Sequence, residues 1–219
     1  MLSLIPSISV DKKIRTVSDS KRDFYHHYTR PINSVYRRVV EELLVEMHLL
    51  SVNVDFRYDP VYALGVVSSY QSFMQGYRPE EDKNAMFEAL CKAVGGDPEQ
   101  YRQDAQNLLL KAKEIPVDSL GEVEPFPSLQ QASKFKYSRL FGIGLYTLSL
   151  ESAPLLDQDQ RQKSLAQLAS TLNLPQEKLQ KDLDLYRSNL QKIEQLIGVI
   201  EETLAADRKK RADQATPST

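Results

Sequence analysis

The chain has no tryptophan, one cysteine, three histidines and only eight glycines in 219 residues. Its single cysteine, Cys91, excludes an internal disulfide and any multi-cysteine zinc site. His26, His27 and His48 lack the paired Glu-x-x-His motifs of a di-iron helical bundle. A net charge of −2 lacks the basic excess of a general nucleic-acid binder, so no nucleic-acid partner is expected. Long hydrophobic runs are missing too. The uncharged stretch PVYALGVVSSYQSFMQGY, Pro60 to Tyr77, is interrupted by Ser68, Ser69, Gln71, Ser72 and Gln75. A membrane span needs about 20 mostly apolar residues, so this stretch is not read as one. The opening MLSLIPSISVDKK carries Pro6 and serines where a signal peptide would have an apolar core. A soluble or peripherally attached protein is expected.

What is present is helical periodicity. Val35, Val39, Leu43, Met47 and Leu50 form one apolar stripe after Ser34. Asp59-Pro60 and Asp97-Pro98 pair an N-cap residue with proline at the first helical position, so each opens a helix. Those helices should end near Gly76 and Lys113, with another between about Glu80 and Val94. PVDSLGEVEPFPS, residues 116–128, holds three prolines and a glycine and reads as a mobile loop. Further helices are expected over about 129–152 and 158–172.

A last helix follows Leu174-Pro175. Leu179, Leu183, Tyr186, Leu190, Ile193, Ile197, Ile200 and Leu204 alternate steps of four and three, a coiled-coil-like seam. Leu185, Leu196 and Val199 lie off the seam and widen its apolar face. Over residues 175–211 this helix would measure roughly 55 Å, longer than a small domain is wide. Two arrangements stay open: docked on the body, or projecting as an arm. The expected class is all-α, with a compact helical body (1–174), the long helix (175–211) and a disordered polar tail (212–219).

The Gly142-Ile143-Gly144 triplet in YSRLFGIGLY suggests a phosphate loop, but no strand precedes it and no Lys-Ser/Thr follows. Lys134, Phe135, Tyr137, Leu140, Phe141, Leu145 and Leu148 carry a helical pattern through it. Mid-helix glycines cost about 1 kcal/mol each against alanine. Close approach of another helix is the expected compensation. Cys91, beside Leu90 and Phe87, reads as a small core residue, and His48 as a core-edge histidine. The eleven tyrosines suggest semi-polar packing surfaces: Tyr25, Tyr28 and Tyr36, or Tyr58 and Tyr62, could line a groove, with core-edge packing the expected arrangement. No nucleophile–base set, catalytic carboxylate pair, metal cluster or cofactor site emerges.

Arg37 and Arg38 precede Glu41 and Glu42 by four residues, so intrahelical ion pairs are available. The same arginines could join Arg30, Lys134, Lys136 and Arg139 in one basic surface for an acidic protein or anionic lipid headgroups. The C-terminal run Arg208, Lys209, Lys210 and Arg211 is a second basic candidate.

Four stretches, in order, resemble the thylakoid formation protein family of cyanobacteria and chloroplasts. They are TVSDSKRDFYHHYTRPINSVYRRVVEELLVEMHLL (16–50), DFRYDPVYALGVVSSYQSFMQGYRP (55–79), KFKYSRLFGIGLYTLSLE (134–151) and KDLDLYRSNLQKIEQ (181–195). Without a plastid transit peptide, a cyanobacterial member is expected. The resemblance implies a non-enzymatic accessory protein on the cytoplasmic side of the thylakoid membrane. It would support photosystem II biogenesis and repair and act with the FtsH protease complex. Photosystem II assembly intermediates and an anionic lipid surface are further partners to weigh. A membrane-organising role through lipid is the second reading, and a pigment carrier or enzyme the third.

Overall fold

The computed structural model describes residues 14–131 and 135–215. These residues form helices without strands: α1 (Val17–His27), α2 (Ser34–Ser51), α3 (Pro60–Phe73), α4 (Asp82–Ala93), α5 (Pro98–Ala112), α6 (Phe126–Gln131), α7 (Arg139–Ser152), α8 (Gln158–Thr171) and α9 (Gln176–Ala215). The all-α class and the long last helix are as expected.

The uncharged stretch that invited a membrane reading is the centre of the bundle. Val61 through Val67, Ser69 and Tyr70 are all buried, so α3 is covered on nearly every side. It packs mainly on α5 and α7. Asp59 caps it, accepting from the backbone N–H groups of Val61 and Tyr62 at 2.9 Å each. Asp97 caps α5 in the same way through Glu99 at 3.0 Å.

The glycine triplet is helical, and its helix is held against α3 by backbone contact. A β-carbon on Gly144 would collide with the carbonyl oxygen of Val61. One on Gly65 would collide with that of Leu140. The expected compensation for mid-helix glycine is therefore present, and it is reciprocal.

Three findings depart from the sequence reading. First, α1 precedes the first expected helix. A capping box explains its start: Asp19 N–H donates to the Thr16 hydroxyl at 3.2 Å, and Thr16 N–H to Asp19 at 2.9 Å. Second, the helix expected over 129–152 is divided into α6 and α7. Ser138 caps α7 by accepting from Phe141 N–H at 3.1 Å. Just before it, Phe135 packs on Phe141 with ring centroids 4.8 Å apart. Apolar residues in irregular chain before the cap thus imitate a helical stripe. Third, residues 116–128 carry a 3₁₀ turn, Val117–Glu122, and the start of α6. Leu120 and Phe126 anchor that segment in the core.

Along α9 the seam changes character. Leu179, Leu183 and Tyr186 are buried, with Tyr186 edge-on to Phe73 at 5.5 Å. Leu190, Ile193 and Ile197 are half-buried. The first half of the seam is thus core packing against the chain's own body. Contact persists to Ile197, whose side chain lies 2.6 Å from where a Gly76 β-carbon would be. The side chains of Ile200 and Leu204, and residues 216–219 of the expected tail, lie outside the described residues.

Candidate partner-binding surface

Two candidates for chemistry, Cys91 and His48, are packing groups. Cys91 is buried, and burial pushes its thiol up to about 12. His48 is buried with Nδ1 2.9 Å from the Ser20 hydroxyl, and burial lowers its pKa. His26 and His27 are exposed on the last turn of α1.

The basic candidates behave differently. An open groove of about 970 Å³ runs between α2, the chain entering α7, and the first turns of α9. Arg37, Arg38, Lys136 and Arg139 all line it, so the fold brings together residues about a hundred positions apart in sequence. Lys21 from α1 and Lys178 from α9 join them. Sequence reasoning missed both. The Thr16-x-x-Asp19 start signal could have placed Lys21 on a helix, whereas Lys178 is brought there by tertiary packing alone.

Carboxylates interleave with these cations. Lys21 donates to Glu41 at 2.7 Å and Tyr25 to the other oxygen at 2.8 Å. These two bonds, the lysine's first, hold the Glu41 carboxyl below its usual range. Arg38 pairs with Glu42 at 2.9 Å across one helical turn. Arg139 grips Glu46 through two nitrogens, at 3.1 and 2.5 Å. The Tyr137 hydroxyl donates to Asp182 at 3.0 Å. Arg37 and Lys136 make no ion pair with a carboxylate among the described residues, and Lys178 sits 5.3 Å over the Tyr137 ring. Among the described residues the groove therefore presents three cations without a carboxylate in ion-pair contact. Beside them Leu49 is 57% exposed, an apolar contact point on the same wall.

Other candidate residues lie apart. Arg30 pairs with the buried carboxylate of Asp82, which also accepts from Tyr28 at 2.8 Å, and it does not line the groove. Arg208 is exposed far along α9. Lys134 and the side chains of Lys209, Lys210 and Arg211 lie outside the described residues.

With this geometry in view, comparison with known proteins is decisive for kinship. A model of the family described as thylakoid formation protein matches residues 16–215. The chain belongs to that family. Relatives named Protein Thf1 span nearly all of it. The one from Gloeothece citriformis is 58% identical over 219 residues, covering 92% of this chain and 97% of its own. That from Rippkaea orientalis is 61% identical over 216 residues, covering 91% and 92%. A solved structure of Psb29 superposes with a TM-score of 0.71 at 46% identity, over 82% of this chain and 98% of that one. Membership makes the chain a thylakoid formation protein of cyanobacterial type. Among the described residues, no helix is long and apolar enough to cross a membrane.

Proposed function

We propose that this protein is a non-enzymatic accessory factor that binds thylakoid FtsH protease complexes and supports their accumulation. In doing so it sustains photosystem II biogenesis and repair from the cytoplasmic side of the membrane. The observation that carries a binding role is the groove: among the described residues Arg37, Lys136 and Lys178 make no ion-pair contact with a carboxylate, and they surround exposed Leu49. Such a concave surface, part cationic and part apolar, suits an acidic segment of a protein partner. Family membership supplies the thylakoid setting.

A direct lipid role is the second reading, and Arg208 at the far end of α9 favours it. Glu41, Glu42 and Glu46 weigh against the groove itself as the lipid contact, because they would face anionic headgroups. Affinity purification of the tagged chain from mildly solubilised thylakoid membranes, with and without FtsH, separates the two. Recovery of FtsH, and loss of membrane association when FtsH is missing, supports the protease reading. Full membrane retention without FtsH and no co-purification would overturn it in favour of lipid.

A further inference from the structure

Ser69, on the central helix α3, is buried, and its hydroxyl has no hydrogen-bond partner among the described residues. Serines inside helices commonly turn back to a carbonyl of the preceding turn. Ser51, Ser149 and Ser152 do so here, donating to His48, Tyr146 and Leu148 at 2.8, 2.7 and 2.9 Å. Ser69 does not, so its hydroxyl is turned away from its own helix. A buried polar group left unpaired loses its hydration with nothing in return, and folded proteins hold few of them.

This hydroxyl belongs to the floor of a cavity. The cavity measures about 460 Å³ and lies between α2 and α9, above α3 and α7. Val35 and Val39 line it from α2, Ile193 from α9, Phe73 from α3, and Leu140 and Ile143 from α7. Its volume falls within the range of about 300–1,000 Å³ usual for small-molecule sites, which are mostly apolar with a few placed polar groups. At its mouth Arg38 pairs with Glu42 and Arg139 with Glu46, so these four charges are already matched within the protein.

We propose that this cavity binds an uncharged, mostly apolar small molecule whose carbonyl oxygen accepts from the Ser69 hydroxyl. The donor side of that hydroxyl decides the ligand's polar atom. A buried donor without an acceptor is rarer in folded proteins than an acceptor with a spare lone pair. The apolar lining decides the rest of the ligand: the residues of α3 and α7 that form the floor carry no charge to meet an ionic group, apart from Arg139, which Glu46 holds. The assignment stands on Ser69 and its cavity, independently of the partner at the basic groove.

Prodan, a neutral naphthalene dye with a single ketone, serves as the probe. It is titrated into the purified full-length chain and followed by its emission, with the parent dimethylaminonaphthalene as the carbonyl-free control. Wild type should bind one prodan per chain with blue-shifted emission. Ser69→Ala should weaken prodan about five- to tenfold, the worth of one hydrogen bond, and leave the parent dye unchanged. Val39→Phe, which fills the cavity from α2, should abolish binding of both dyes with helical circular dichroism retained. Without dye, Ser69→Ala should raise the thermal midpoint, because it removes a buried group that lacks a partner. A lowered midpoint would mean that the hydroxyl is satisfied within the protein, and would overturn the proposal. No saturable binding, an equal effect of Ser69→Ala on both dyes, or prodan binding that survives Val39→Phe also overturns it. So does displacement of prodan by palmitate in wild type and Ser69→Ala alike, which would make the cavity an acyl slot with its carboxylate at exposed Lys192. A concentration-dependent dimer broken by Val39→Phe would give the cavity to a second copy of the chain and overturn a small-molecule ligand.

Discussion

The backbone nitrogen of Gly144 lies 3.1 Å from the place a β-carbon would occupy on Gly65. The central helix and the helix beside it thus meet at their backbones, and neither glycine leaves room for one more carbon. Gly65→Ala and Gly144→Ala should each destabilise by about 3–5 kcal/mol, since the obstacles are carbonyls that cannot rotate away. Gly198, in α9 with open space around it, is the control. Gly198→Ala should be neutral or gain up to about 1 kcal/mol from helix propensity. Chemical denaturation of the three variants checks this; equal effects would deny the close crossing.

Arg161 closes the end of the same helix. It is buried, and its guanidinium donates to the carbonyls of Ser149, Ala153 and Leu156, the last two at 3.0 Å. Three backbone acceptors at and just beyond the C-terminus of α7 are thereby satisfied without a carboxylate. Arg161→Met should cost about 2–4 kcal/mol by leaving them unpaired, and Arg161→Lys should restore only part, lacking the fork. Full stability in Arg161→Met would contradict this role.

Asp59 and His48 set opposing pH dependences. Burial raises the Asp59 carboxyl to about 6 from 3.8, against the N–H groups of Tyr62 and Val61, which pull it down. The folded chain therefore takes up this proton at higher pH than the unfolded chain. Stability from this group grows as pH falls from 7 toward 4, by up to about 3 kcal/mol. His48 acts in reverse: burial lowers its pKa, so its contribution is fully present above the unfolded value of 6.5 and is lost as pH falls below it through the lower folded value. Asp59→Asn isolates the first effect. Urea titrations at pH 7 and 4.5 should show wild type gaining on the variant in acid; parallel curves would contradict the shift.

Cys91 supplies a probe of folding. Buried, with its thiol pushed up to about 12, it should react with a thiol reagent only as fast as the chain opens. Prompt stoichiometric labelling of the native protein would contradict its placement.

Much of the fold was legible because local chemistry and tertiary outcome agree. Asp59-Pro60 and Asp97-Pro98 state their helix starts in the two residues that make them. The glycine triplet announced a close approach, though not its partner: Gly65 sits in a stretch whose apolar residues say nothing of which neighbour crosses there. The division before α7 was hidden because Phe135 and Tyr137 fit a pattern continued by Leu140 and Phe141 while lying outside any helix. The groove was half legible. Charge and spacing named Arg37, Arg38, Lys136 and Arg139, but their assembly depends on the chain entering α7 meeting α2, where Arg139 binds Glu46. The start of α9 adds Lys178, and Arg30 is held apart by its pairing with Asp82.

Of all measurements, co-purification of FtsH with charge-reversed chains tests the central claim most directly. Arg37→Glu combined with Lys136→Glu turns two unpaired cations of the groove into carboxylates while leaving the ion pairs of Lys21, Arg38 and Arg139 in place. Arg208→Glu, far along α9, serves as the matched control. The account predicts that the double variant folds, with unchanged circular dichroism and thermal midpoint, and recovers at most a tenth of the FtsH retained by wild type. The control should recover it fully. Undiminished recovery by the folded double variant would contradict the groove as the partner-binding surface.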